Sequence, residues 1–126
     1  MNSKRILYIE DNDTNRMLVR RVLTAEGYTM LEAADGPTGV RVAEEHVPDL
    51  ILMDINLPEL DGYEVTSRIK ENPQLSHIPV IAMTANVMHG DRERSLAAGC
   101  DGYIQKPIDI DLLPEQIAKF LSRIQS

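Results

Sequence analysis

The stretch ILMDINLPELDG, residues 51–62, decides the fold. Leu50, Ile51, Leu52 and Met53 make an unbroken apolar run that stops on Asp54, and Pro58 and Gly62 follow within eight positions. A short run that is apolar at every position reads as a strand covered on both faces, since a half-exposed strand would alternate polar and apolar residues. Strands of that kind belong to parallel sheets with helices on two sides. Asp54 is then carried to the sheet edge on rigid backbone, with its carboxylate facing a polar crevice.

Working outward, the runs RILYIED (5–11), YTMLEA (28–33), IPVIAMTA (78–85) and GYIQKP (102–107) repeat the strand signal, and helical periodicity fills the intervals. The first helix is expected to present Leu18, Val22 and Ala25 on one face and to stop at Gly27. The second runs from about Gly36 to His46, ahead of Pro48; the third is anchored by Val65 and Ile69 and ends before Pro73. The fourth covers roughly Met88 to Ala98 and closes at Gly99. The last turns Leu113, Ile117, Phe120, Leu121 and Ile124 inward, with Pro114 tolerated in its first turn. Alternating strands and helices with right-handed crossovers predict an α/β fold, a doubly wound five-stranded parallel sheet with five helices. Pro58 and Gly62 shape the loop and helix start after Asp54.

Composition narrows the function classes. A chain of 126 residues, 43% hydrophobic, is expected to form one domain over residues 1–126 with its own core. Its apolar stretches fall well short of the roughly 20 residues that span a bilayer, and the lone Cys100 cannot form an internal disulfide, so the expected location is the cytoplasm. Thirteen basic residues stand against twenty acids, and the net charge of −7 argues against nucleic acid as a partner.

In a parallel sheet all strand ends share one edge, and ligands bind there. Glu10 and Asp11 close the first run, Asp54 the third, Thr84 and Ala85 the fourth, and Lys106 and Pro107 the fifth. Gathered carboxylates repel unless a cation joins them, and hard oxygen donors without histidine or cysteine favour Mg²⁺ over zinc. A metal-binding carboxylate flanked by Lys106 and Thr84 points to phosphoryl chemistry: the ammonium neutralises charge on the transferred group and the hydroxyl hydrogen-bonds the product.

These four elements together resemble the receiver domain of two-component response regulators over essentially the whole chain. IEDN, LILMDINLPELDGYEV, IPVIAMTA and GCDGYIQKP are most similar to stand-alone regulators of the DivK type and to the receivers of hybrid histidine kinases. The resemblance implies strand order 2-1-3-4-5 and phosphorylation of Asp54 by a phosphohistidine donor, either a histidine kinase or a histidine phosphotransfer protein. It implies direct Mg²⁺ ligands at Asp11, Asp54 and the backbone carbonyl of Asn56, a water-mediated role for Glu10, and pairing of Lys106 with the phosphoryl group. Mn²⁺ is expected to substitute for Mg²⁺. It also implies a cis Lys106–Pro107 bond and a switch in which Thr84 moves toward the phosphoryl group and Tyr103 rotates beside Ala85. That switch would alter the face made by the fourth helix, fifth strand and fifth helix, where an output protein docks. The chain would be a monomer or a weak, phosphorylation-linked dimer. The first acid is Glu10, where many members have aspartate.

Taken singly, each residue has a plainer role: Glu10 and Asp11 as helix-capping acids, Thr84 as a strand residue, Lys106 as a surface charge, Tyr103 as packing. Their agreement at four strand ends favours the site. An aspartyl phosphatase of the haloacid-dehalogenase type would want a second aspartate where Asn56 stands, and a flavodoxin-like carrier would want a phosphate-cradling Ser/Thr-Gly loop after the first run. The expected function is therefore that of a phospho-acceptor which assists its own phosphorylation and dephosphorylation, and not that of an enzyme acting on other substrates. Met1 and the helical end at Ser126 favour a stand-alone protein over a piece of a hybrid kinase or larger regulator.

Overall fold

Leu50–Asp54, the third strand (β3), is buried at every position and lies at the centre of the sheet. In the computed structural model, which describes residues 3–57, 61–85 and 91–125, it follows β1 (Arg5–Ile9), α1 (Asp13–Ala25), β2 (Thr29–Ala33) and α2 (Gly36–His46). After it come α3 (Gly62–Glu71), β4 (Val80–Thr84), α4 (Asp91–Ala98), β5 (Gly102–Gln105) and α5 (Leu113–Gln125). All four strand pairs are parallel, in the order β2-β1-β3-β4-β5. The doubly wound parallel sheet and its order are as expected. Pro58 and the expected start of the fourth helix at Met88 lie outside the described residues, as does the side chain of Ile124.

The period-2 alternation of each strand divides the core. Ile6, Tyr8, Leu52 and Met83 face Val19 and Leu23 of α1 and Leu113, Ile117 and Leu121 of α5. Leu7, Ile9, Met53 and Ala82 face the other way, onto Ala43 of α2 and Val65 and Ile69 of α3.

The expected inward face of α1 needs correction. Val19 and Leu23 are its buried residues, Val22 is partly buried, and Leu18 is 36% exposed, with Ala25 exposed as well. The sequence holds two overlapping ladders, and the larger branched pair Val19 and Leu23 covers more of the sheet than the pair ending in alanine. The helix ends behave as read. Gly27 and Gly99 adopt φ values of +96° and +102°, which only glycine reaches without cost, and they stop α1 and α4. Asn12, Asp35 and Asp61 cap α1, α2 and α3, each side chain accepting a backbone N–H three residues on.

Candidate functional site

Each acid reaches the crevice from a different constraint. Glu10 follows directly on β1, and its backbone is held from both sides: its N–H donates to Ala33 O at 2.9 Å, and Arg16 Nη1 donates to its carbonyl at 2.6 Å. Asp11 is exposed beside it. Asp54 ends β3 and is 2% exposed, so its main chain is as rigid as the core. Gly62 is required there, because a Cβ at that position would lie 2.5 Å from Asp54 O and 2.8 Å from Ile55 Cα. That close approach lets the Gly62 N–H bond Ile55 O at 3.0 Å.

Glu10, Asp11 and Asp54 each offer a carboxylate oxygen, and these oxygens lie within 4.8 Å of one another. Lys106 Nζ is 2.8 Å from Asp54 Oδ1 and 3.5 Å from Glu10 Oε1. The Asn56 N–H donates to the same Asp54 Oδ1 at 3.1 Å, so that oxygen is held by two donors. Burial pushes the Glu10 carboxyl upward, the neighbouring Asp54 pushes it further, and Lys106 and Asn15 only partly offset this. Burial alone would lower the Lys106 pKa, but its bonds to Asp54 and Glu10 outweigh burial and hold the ammonium above its ordinary value.

Thr84 is buried at the end of β4, and its carbonyl accepts the Lys106 N–H at 2.8 Å, which sets the start of the loop that carries the ammonium. The Lys106–Pro107 peptide bond is cis. Ala85, Lys106, Pro107 and Ile108 line a cavity of about 440 Å³ together with Asn15 and the exposed Leu18 of α1. Tyr103 stands apart from this cluster: it pairs with Ala82 in the sheet and is half-buried against the side of the core covered by α2 and α3.

Three supports of Glu10 were not among the expected site residues. Tyr8 Oη donates to Glu10 Oε1 at 3.0 Å, Asn15 Nδ2 donates to the same oxygen at 3.2 Å, and the Asn12 N–H lies 3.4 Å from Oε2. The available signal was strand alternation, which puts Ile6, Tyr8 and Glu10 on one side of the chain.

The donor set fits a hard divalent cation. It is all oxygen, and Glu10, raised first by burial and then by the neighbouring Asp54, belongs to a crowded set of carboxyls that a cation would relieve. Glu10, Asp11 and Asp54 would hold Mg²⁺, which would neutralise charge on a phosphoryl group brought to the same crevice.

Three acids and a lysine thus gather at the carboxyl edge of a doubly wound parallel sheet. The response regulator receiver domain family matches residues 6–118, and the chain belongs to that family. It is 45% identical over 119 residues to the polar-differentiation response regulator DivK of Brucella ovis, covering 94% of this chain and 97% of that one. Among solved structures it is similar to the receiver domain of a Pseudomonas aeruginosa sensor histidine kinase, at 39% identity and a TM-score of 0.86, covering 99% of this chain and 100% of that one. That structure has a magnesium ion coordinated in its active site cleft. A CheY-like receiver domain protein of Methanospirillum hungatei is similar at 29% identity and a TM-score of 0.90, covering 98% of each chain. The chain is a phospho-accepting regulator of two-component signalling. No helix among the described residues is long and apolar enough to cross a membrane.

Proposed function

We propose that Asp54 is the phospho-acceptor and that its phosphorylation, supported by Mg²⁺ or Mn²⁺, switches a protein-binding face. The observation that carries this reading is the buried Asp54 carboxylate, within 4.8 Å of Glu10 and Asp11 oxygens and 2.8 Å from Lys106 Nζ. An Asp54 oxygen attacks the phosphorus of a phosphohistidine in line. The P–O bond forms as the P–N bond breaks, and the donor imidazole leaves with the electron pair. Lys106, paired with the carboxylate beforehand, transfers its ammonium to the developing phosphoryl charge. Asp11, Asp54 and the Asn56 carbonyl are direct metal ligands in this reading, and Glu10 acts through a metal-bound water. Attack of water on phosphorus later returns the carboxylate and inorganic phosphate, so the domain assists both its phosphorylation and its dephosphorylation.

The donor is a histidine kinase or a histidine phosphotransfer protein in the cytoplasm. Output runs through Thr84, whose hydroxyl moves toward the new acceptor oxygens, and through Tyr103, which rotates toward the space beside Ala85 and changes the surface of α4, β5 and α5. An output protein docks there, with the regulator a monomer or a weak phosphorylation-linked dimer. Residues 1–126 form one receiver domain, and similarity to DivK across 97% of that protein supports a single-domain regulator. The 39% identity to a sensor kinase's receiver supports the second reading, a receiver belonging to a larger kinase. With acetyl phosphate and Mg²⁺, intact mass should show one added phosphoryl group on the parent and none on Asp54→Asn. Equal labelling of the two would reject the assignment.

A further inference from the structure

We propose that Tyr8, seconded by Asn15, is a positioning residue that fixes the Glu10 carboxylate for cation binding; this rests on reading Glu10, Asp11 and Asp54 as the metal cluster. Tyr8 is fully buried, with its ring in the apolar layer formed by Ile6, Leu52, Val19 and Leu23. A phenolic O–H in such surroundings is costly without an acceptor, and the structure supplies one, Glu10 Oε1 at 3.0 Å. The hydroxyl cannot wander, because close-packed neighbours hold the ring on which it sits. The bond therefore transmits the rigidity of the core to a carboxylate at the rim.

Glu10 needs such a brace. Its side chain has one more rotatable bond than aspartate would have at the same place, and that freedom must be lost before the carboxylate can join a cluster with Asp11 and Asp54. Two donors converge on one oxygen: Tyr8 Oη from the core side and Asn15 Nδ2, at 3.2 Å, from α1. Asn15 is in turn fixed by the cap of its own helix, where its N–H donates to Asn12 Oδ1 at 2.9 Å. Oε1 also faces Lys106 Nζ at 3.5 Å, but its direction is set by the two neutral donors, neither of which adds charge to the cluster. Tyr8 is assigned no contact with metal or phosphoryl group in this proposal and acts through its bond to Glu10.

The test is calorimetric Mg²⁺ titration of the full chain as parent, Tyr8→Phe, Glu10→Gln and the double variant, with thermal melts of each in chelator. Tyr8→Phe keeps the ring and deletes one oxygen. It should weaken Mg²⁺ binding about 3- to 10-fold while the metal-free protein still melts cooperatively, a loss comparable to that of one ordinary hydrogen bond. In the Glu10→Gln background the same change should have no further effect. Asn15→Ala, at a partly exposed helix position, should weaken Mg²⁺ about 2- to 5-fold. It tests the brace on Glu10 Oε1 independently of Tyr8, and parent-like affinity in it overturns the brace even if Tyr8→Phe does not fold. Parent-like Mg²⁺ affinity in either single variant would overturn the proposal, and so would an equal loss with and without Glu10. A parent protein that binds no Mg²⁺, or whose affinity is unchanged by Asp11→Ala, would overturn the metal-cluster reading and the role of Tyr8 with it.

Discussion

Lys106 Nζ lies 2.8 Å from Asp54 Oδ1, so the ammonium serves as an internal counter-ion at the place where a divalent cation and a phosphoryl group are expected. Its two tasks predict opposite effects of one substitution. Lys106→Met removes a positive charge from the cluster and should tighten Mg²⁺ binding by roughly threefold or more. The same variant loses a donor to developing charge and should slow phosphorylation by roughly 100-fold. Titration of Mg²⁺ beside a time course of labelling checks both directions, and a fall in both would show that Lys106 mainly holds the site's shape.

Asp11 is exposed and contributes to the cluster without contributing to the core. Asp11→Ala should lower Mg²⁺ affinity by about tenfold or more, the loss of one carboxylate from a site with few protein ligands. In chelator the variant should melt at the parent's temperature or slightly above it, because crowding of Glu10 and Asp54 is eased. Melting curves with and without Mg²⁺ test this, the gap between them being large for the parent and small for the variant.

The fold and most of the site could be read from sequence for one reason. In a parallel sheet every strand delivers its last residues to the same edge, so Glu10, Asp11, Asp54, Thr84 and Lys106 were brought together by chain order alone. What depends on helix phase or on side-chain reach was not readable in that way. The inward face of α1 was displaced by one residue because two apolar ladders overlap, and only packing against β1 and α5 selects Val19 and Leu23. The bond from Tyr8 to Glu10 needs a phenol long enough to reach along its strand, and Lys70 meets Asp101 across 31 residues of chain. Strand alternation puts Tyr8 and Glu10 on one side without showing the bond, and the Lys70–Asp101 separation has no periodic signature.

Away from the site, Asp35 caps α2, its Oδ1 accepting the Thr38 N–H at 2.8 Å, and that backbone bond is the main cause that holds its carboxyl below the ordinary aspartate value. A depressed folded pKa gives stability that is present above the unfolded value, about 3.9, and is lost as pH falls through the lower folded value. Asp35→Ala should cost about 1 kcal/mol at neutral pH. Asp35→Asn should retain most of the cap and flatten the loss of stability below about pH 4. Urea unfolding of the three proteins at neutral pH and in acid distinguishes the variants.

Asp101 joins the far ends of β4 and β5, with Oδ2 accepting the Val80 N–H at 2.9 Å and Lys70 Nζ at 2.8 Å. Asp101 is about half exposed, so the ion pair itself is worth little. The backbone bond to Val80, whose side chain is fully buried, should carry most of the effect. Asp101→Asn should therefore cost less than about 0.5 kcal/mol and Asp101→Ala about 1–2 kcal/mol. Equal costs measured by denaturant unfolding would shift the weight to the charge.

The central claim is that one buried carboxylate, Asp54, takes the phosphoryl group. The most direct measurement phosphorylates the parent with acetyl phosphate and Mg²⁺, reduces the acyl phosphate with borohydride to homoserine, and locates the mass change by peptide sequencing. The predicted result is a single modified position, 54, with Glu10 and Asp11 recovered unchanged. Modification at Glu10 or Asp11, or homoserine spread over several aspartates, would contradict it.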